Sequence, residues 1–109
     1  MNKAYINNIK YFLPPTKELN SKVLSDANYV GDKINRMINK IGIKSRRIVA
    51  ENIFSNDLAV NSAKKILKNY NFKNIDFLIF CTNTPEYSLP TNACILQDKL
   101  GLKKSIGAL

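Results

Sequence analysis

Apolar positions change their spacing along this chain, and each change marks an element. The stretch AYINNIKYFLP (residues 4–14) mixes β-branched and aromatic residues and stops at Pro14-Pro15. It predicts a strand that leaves into a turn. TKELNSKVLSDANYV (16–30) is polar with scattered apolar positions and predicts one or two short helices. In GDKINRMINKIGI (31–43), Ile34, Met37, Ile38 and Ile41 fall at helical spacing, and Gly42 is a natural stop. KSRRIVAEN (44–52) reads as a basic loop or a short extended piece.

SNDLAVNSAKKILKNYNF (55–72) carries the clearest helical period. Ser55 or Asn56 can cap it, and Asp57 in the first turn complements the helix dipole. Ala59, Ala63, Ile66, Leu67 and Tyr70 form one stripe, with Lys64, Lys65 and Lys68 on the wet side. NIDFLIFCT (74–82) is apolar without a break from Phe77 to Cys81, the pattern of a strand covered on both faces, as in a parallel sheet. After the loop NTPEYSLP, TNACILQDKLG (91–101) predicts a second helix. Thr91 caps it, Gly101 stops it, and Ala93, Leu96 and Leu100 share a face. SIGAL then begins another extended run. The order helix, strand, helix, strand from residue 55 is that of an α/β layered fold. A buried strand that ends at Leu109 leads us to expect one incomplete domain over 1–109, cut inside a larger fold.

The chain has 109 residues, 45% of them hydrophobic, enough for a core. Seventeen Lys and Arg against eight acids give a net charge of +9, which favours anionic partners or marks a solvated surface. There is no histidine, so the commonest general base and metal ligand is missing. Cys81 and Cys94 form no zinc motif and no disulfide framework, and a reducing, cytoplasmic setting follows as the simpler reading. No signal peptide pattern opens the chain, and FLIFC is too short to span a bilayer.

Taken in order, YFLPP with Asn20, IGIKSRRI, SNDLAVNSAKKIL and IDFLIFCTNTPEYSLPTNACILQDKLGL resemble the N-terminal part of the β-ketoacyl-acyl carrier protein synthase III family, thiolase-like condensing enzymes. The last block is the most specific, with its Pro-Thr-x-Ala-Cys-x-x-Gln-x-x-Leu-Gly spacing. The resemblance implies the N-terminal portion of a layered α-β-α-β-α fold, truncated before the catalytic cysteine. It implies an acyltransferase that condenses an acyl-CoA primer with malonyl-acyl carrier protein in fatty acid synthesis, as a cytoplasmic homodimer without a prosthetic group. The family's catalytic Cys, His and Asn all fall beyond Leu109, so no residue here is catalytic and none binds metal. Cys94 and Cys81 take a structural reading, as small apolar residues in packed elements.

The resemblance further implies that Arg36 and Lys40 stand where the family places a Trp and an Arg around the adenine of CoA. Arg36 can stack by its guanidinium or pair with phosphate, and Lys40 keeps the charge but loses the plane. The alternative is that both lie on the wet face of a helix. Leu89 stands where the family sends a residue across the dimer into the partner's acyl pocket. Arg46 and Arg47 could meet carrier protein or CoA phosphates, or be surface charge. A related condensing or acyltransfer enzyme of a specialised pathway is the alternative within the superfamily. In another class, Lys33, Arg36, Lys40, Lys44, Arg46 and Arg47 could form the phosphate-facing patch of a small nucleic-acid-binding module. The absence of a nucleic-acid motif and the α/β order argue against it, and neither a nucleic acid nor a membrane is expected as partner.

Overall fold

The computed structural model describes residues 3–71 and 74–109, and the end of the 55–72 stretch therefore lies partly outside it. The chain forms two compact units. One is Leu13–Glu51; the other joins the N-terminal stretch ending at Phe12 to Asn52–Leu109.

In the unit Leu13–Glu51, β1 (Thr16–Leu19) pairs antiparallel with β2 (Ser45–Ile48), and α1 (Asn20–Asp26) and α2 (Asp32–Ile41) lie between them in sequence. The basic piece KSRRI is thus a strand. Its register sets Arg46 opposite Glu18, an opposite-charge pair across a polar two-stranded ribbon. Gly42 ends α2 in the left-handed region at φ 75, where its N–H bonds the Ile38 carbonyl at 2.8 Å. Ile34, Met37 and Ile38 are half-buried, whereas Ile41 is exposed. Arg47 closes the double-proline turn by donating to the Pro15 carbonyl at 2.6 Å.

The strand expected over residues 4–14 does not form: no strand precedes Thr16 among the described residues. Branched and aromatic side chains raise strand propensity, but a strand exists only where its backbone finds a ladder partner. Tyr5, Ile6, Ile9 and Tyr11 stay exposed. Lys65 anchors the end of this stretch. Its Nζ donates to the Tyr11 carbonyl at 3.0 Å and lies 5.5 Å from the centre of the Phe12 ring.

The other unit is built on α3 (Ser55–Leu67), β3 (Phe77–Leu78), α4 (Asn92–Lys99) and β4 (Gly107–Ala108). The two strands pair in parallel across the helix, a βαβ arrangement. Hydrogen bonding runs past the paired residues, from Leu109 N–H to the Leu78 carbonyl (3.0 Å) and from Phe80 N–H to that of Leu109 (2.8 Å). Leu67, Leu96, Leu100 and Leu102 make the buried core, packed by Ala59, Val60, Ala63, Ile75, Leu78, Phe80 and Ile106. The predicted α4 face is borne out: Ala93, Leu96 and Leu100 are all buried. Burying one such leucine stabilises the fold by roughly 1.5–3 kcal/mol.

Three expectations need correction here. The strand 74–82 is covered on one face only. Ile75, Leu78 and Phe80 turn to the core, while Phe77 and Ile79 are exposed. Tyr70 lies past the helix end and is exposed rather than part of the α3 stripe. Cys81 and Cys94 are both exposed free thiols, not packed ones. Cys94 sits one position after the buried Ala93, and a 100° step per residue is enough to swing it out.

Candidate functional site

The residues that carry the family resemblance have structural work that explains their spacing. Asn20, at the start of α1, is 2% exposed. Its N–H bonds the Lys44 carbonyl at 2.9 Å, and its side-chain oxygen accepts a hydrogen bond from Arg46 Nη2. The Asn after the proline turn and the Arg after Gly-Ile are therefore one pair, tying the β1–α1 junction to β2. Gln97 does similar work at α4. Its Nε2 donates to the Lys103 carbonyl at 2.7 Å, and the Ile106 carbonyl lies 3.5 Å away. That amide clamps the turn that delivers β4.

Arg36 and Lys40 lie one turn apart on α2, both exposed. Among the described residues neither makes a hydrogen bond or ion pair, so both heads are available to an anion. Lys33 and Lys44 are exposed as well. Arg46 and Arg47 differ, because each donates inside the fold, to Asn20 and to Pro15. Fixed in this way, they are less free than surface charge to follow a partner.

Leu89 is 82% exposed and precedes a cis bond to Pro90. The loop that carries it is held by a polar cluster of which the sequence pattern marks only Ser55 and Asn56, as cap candidates. Asn56, fully buried, donates from Nδ2 to Glu86 Oε2 (3.1 Å) and to Asn92 Oδ1 (3.0 Å). Asn92 Oδ1 also accepts from the Glu86 N–H (3.0 Å), and Asn92 Nδ2 donates to the Tyr87 carbonyl (3.1 Å). Ser55 Oγ donates to the Thr84 carbonyl at 2.9 Å. The first turns of α3 and α4 thus grip the loop from 84 to 87 and project Leu89 beyond it. The carbonyl oxygen of Asn56 is buried with no hydrogen-bond partner among the described residues.

The cap of α3 is Phe54, not Ser55 or Asn56. Its N–H donates to Asp57 Oδ2 at 3.0 Å. That bond, with the Lys99 ammonium 3.0 Å from Oδ1, holds the Asp57 carboxyl below its ordinary value. The same contact with Asp57 holds Lys99 above its own. Lys99 also lies 3.8 Å from Glu86 and so bridges the two acids beside the cluster. No group of three or more His, Cys, Asp or Glu side chains fit to hold a metal occurs among the described residues. No helix among them is long and apolar enough to cross a membrane.

No family model matches the chain. Solved structures do. A 3-oxoacyl-(acyl-carrier-protein) synthase III is 34% identical over 95% of this chain, with a TM-score of 0.77. A 3-oxoacyl-(acyl-carrier protein) synthase from Burkholderia xenovorans is 27% identical over 93%, with a TM-score of 0.80. The β-ketoacyl-acyl carrier protein synthase III from Thermus thermophilus is 25% identical over 97%, with a TM-score of 0.77. The chain spans only 31%, 30% and 32% of those three chains, respectively. Over the part that it spans, the chain is similar in sequence and fold to these 3-oxoacyl-acyl carrier protein synthase III structures and has their thiolase-like fold.

Proposed function

We propose that the chain is part of a 3-oxoacyl-acyl carrier protein synthase III, which condenses an acyl-CoA primer with malonyl-acyl carrier protein. The observation that carries this reading is the joint agreement of fold and sequence with such synthases, at 34% identity over 95% of the chain. The reaction belongs to the whole protein. A cysteine thiolate there takes the acyl group from acyl-CoA as a thioester, expelling the CoA thiolate. Loss of carbon dioxide from the malonyl unit supplies the carbanion that attacks it and expels the cysteine thiolate. Donors aimed at the developing oxyanion lower that barrier.

Within residues 1–109 the contribution is binding and scaffolding. Arg36 and Lys40 contact CoA: the guanidinium stacks on the adenine or pairs with a phosphate, and the ammonium adds charge. Leu89, held out on its gripped loop, lines the acyl pocket of a partner subunit in a cytoplasmic homodimer. The chain needs no prosthetic group, and by itself it is inactive. A second reading, a condensing enzyme with a different acyl donor, is favoured by one observation. Arg36 and Lys40 replace the Trp and Arg that the family resemblance leads one to expect at these positions.

The test is to read the coding DNA past Leu109 and assay the protein it encodes with acyl-CoA and malonyl-acyl carrier protein. A cysteine soon after Leu109, a 3-oxoacyl product, and its loss on mutation of that cysteine to alanine support the proposal. A folded, complete product that forms no 3-oxoacyl thioester refutes it. Condensation with another donor in place of acyl-CoA selects the second reading.

A further inference from the structure

Two adjoining cavities lie against the C-terminal half of α3. One, of about 430 Å³, is lined by Lys64, Leu67, Lys68 and Leu100. The other, of about 220 Å³, shares Leu67 and Leu100 and continues over Ala63, Phe77 and other apolar side chains. Both belong to the unit ending at Leu109. The larger falls within the roughly 300–1,000 Å³ typical of small-molecule sites. Its chemistry is split. Two leucines and two lysines line it, and the lysines stand one helical turn apart.

Among the described residues, neither ammonium has a hydrogen-bond or ion-pair partner. Like charges at this spacing repel each other, and the acid that α3 does carry, Asp57 in its first turn, is held by Lys99. Lys65, between them in sequence, is engaged elsewhere, on the Tyr11 carbonyl. Lysine stems can lie along apolar surface while their heads stay at the rim. A cationic mouth over an apolar trough accepts one kind of ligand well: a single anionic head with a hydrocarbon tail. The head offsets the repulsion between the ammoniums. The tail covers Leu67 and Leu100 and runs on toward Phe77, which is 56% exposed.

We infer that this groove binds a free long-chain carboxylate, its head between Lys64 and Lys68 and its chain along Leu67 and Leu100. The site uses none of the residues assigned to CoA or to the acyl pocket.

The test is a titration of the isotope-labelled chain with monomeric dodecanoate, followed by amide NMR. The expected result is saturable, one-site binding, with shifts concentrated at Ala63–Lys68 and Leu100–Leu102. Lys64→Glu/Lys68→Glu should bind about tenfold more weakly or worse. Lys17→Glu/Lys33→Glu, which changes net charge equally in the other unit, should bind as the parent does. Circular dichroism checks that both variants keep their helix content. Shifts spread over the whole surface, equal binding of dodecyltrimethylammonium, or an unchanged affinity in Lys64→Glu/Lys68→Glu would overturn the inference. So would binding to anionic phosphatidylglycerol vesicles without any binding of the monomer.

Discussion

Asn56 tests whether the cluster that grips the 84–87 loop is dry. Its amide nitrogen donates to Glu86 and to Asn92, and its carbonyl oxygen is buried without a partner. In Asn56→Asp the size is kept, both donated bonds vanish, and a second carboxylate faces Glu86. An uncompensated buried charge of this kind costs about 3–5 kcal/mol. In Asn56→Ala the same two bonds vanish, but the unpartnered carbonyl goes with them. Glu86 keeps Lys99, and Asn92 Oδ1 keeps the Glu86 N–H. That loss is about 1–2 kcal/mol. The aspartate is therefore the worse change at neutral pH, by roughly 2 kcal/mol. Burial and Glu86 both raise the new carboxyl's pKa in the folded state, so the penalty is relieved as pH falls through that raised value. Once protonated, the acid donates again. Urea unfolding followed by circular dichroism reads the difference. With a slope of about 1–3 kcal/mol per molar, the two midpoints should differ by roughly 1 M at pH 7 and converge under acid. If Asn56→Asp matches Asn56→Ala at pH 7, the pocket holds water and the reasoning fails.

Leu96→Ala should cost about 2–5 kcal/mol, whereas Leu89→Ala, at an exposed position, should leave the unfolding midpoint where it was. Arg46→Ala should cost about 1–3 kcal/mol by stranding the buried Asn20 oxygen, seen as faster amide exchange at Asn20 and along β2. Asp57 is depressed in the folded state, so its contribution is present above the unfolded carboxylate pKa and is lost as pH falls through the lower folded value. Asp57→Asn should flatten that acid limb of an unfolding curve; an unchanged limb would mean that Lys99 and the Phe54 N–H do not bind this carboxylate. In the full-length protein, Arg36→Ala/Lys40→Ala should raise KM for acyl-CoA with little change in kcat, and equal losses in both would remove these residues from CoA binding.

Helices α2 and α4 were legible because their spacing, glycine stops and basic last turns agree. The bounds of α2 and α4 follow the pattern at Ile34–Ile41 and Ala93–Leu100. The first ribbon was not legible. TKEL and SRRI hold one another by backbone pairing, with no apolar alternation to betray them. Residues 4–14 have the composition of a strand, but that composition says nothing of which backbone it will meet. Asn56 reads as a helix-start residue and Asn92 carries no signal at all, but the side chain of the first turns inward to a loop thirty positions away, and that of the second folds back onto the loop just before α4. A polar residue's burial depends on such partners, which no local pattern encodes. Leu89 could be singled out through the motif around it, and the grip behind it could not.

The cap of α3 has an evolutionary side. Because Phe54 contributes only its main-chain N–H to Asp57, its ring is free of the capping bond and is 44% exposed. Position 54 should therefore tolerate any side chain but proline. Drift is confined instead at the next three positions, where Ser55 and Asn56 reach the loop and Asp57 faces Lys99. A library randomised over 54–57 should recover a nearly free first letter followed by three narrow ones.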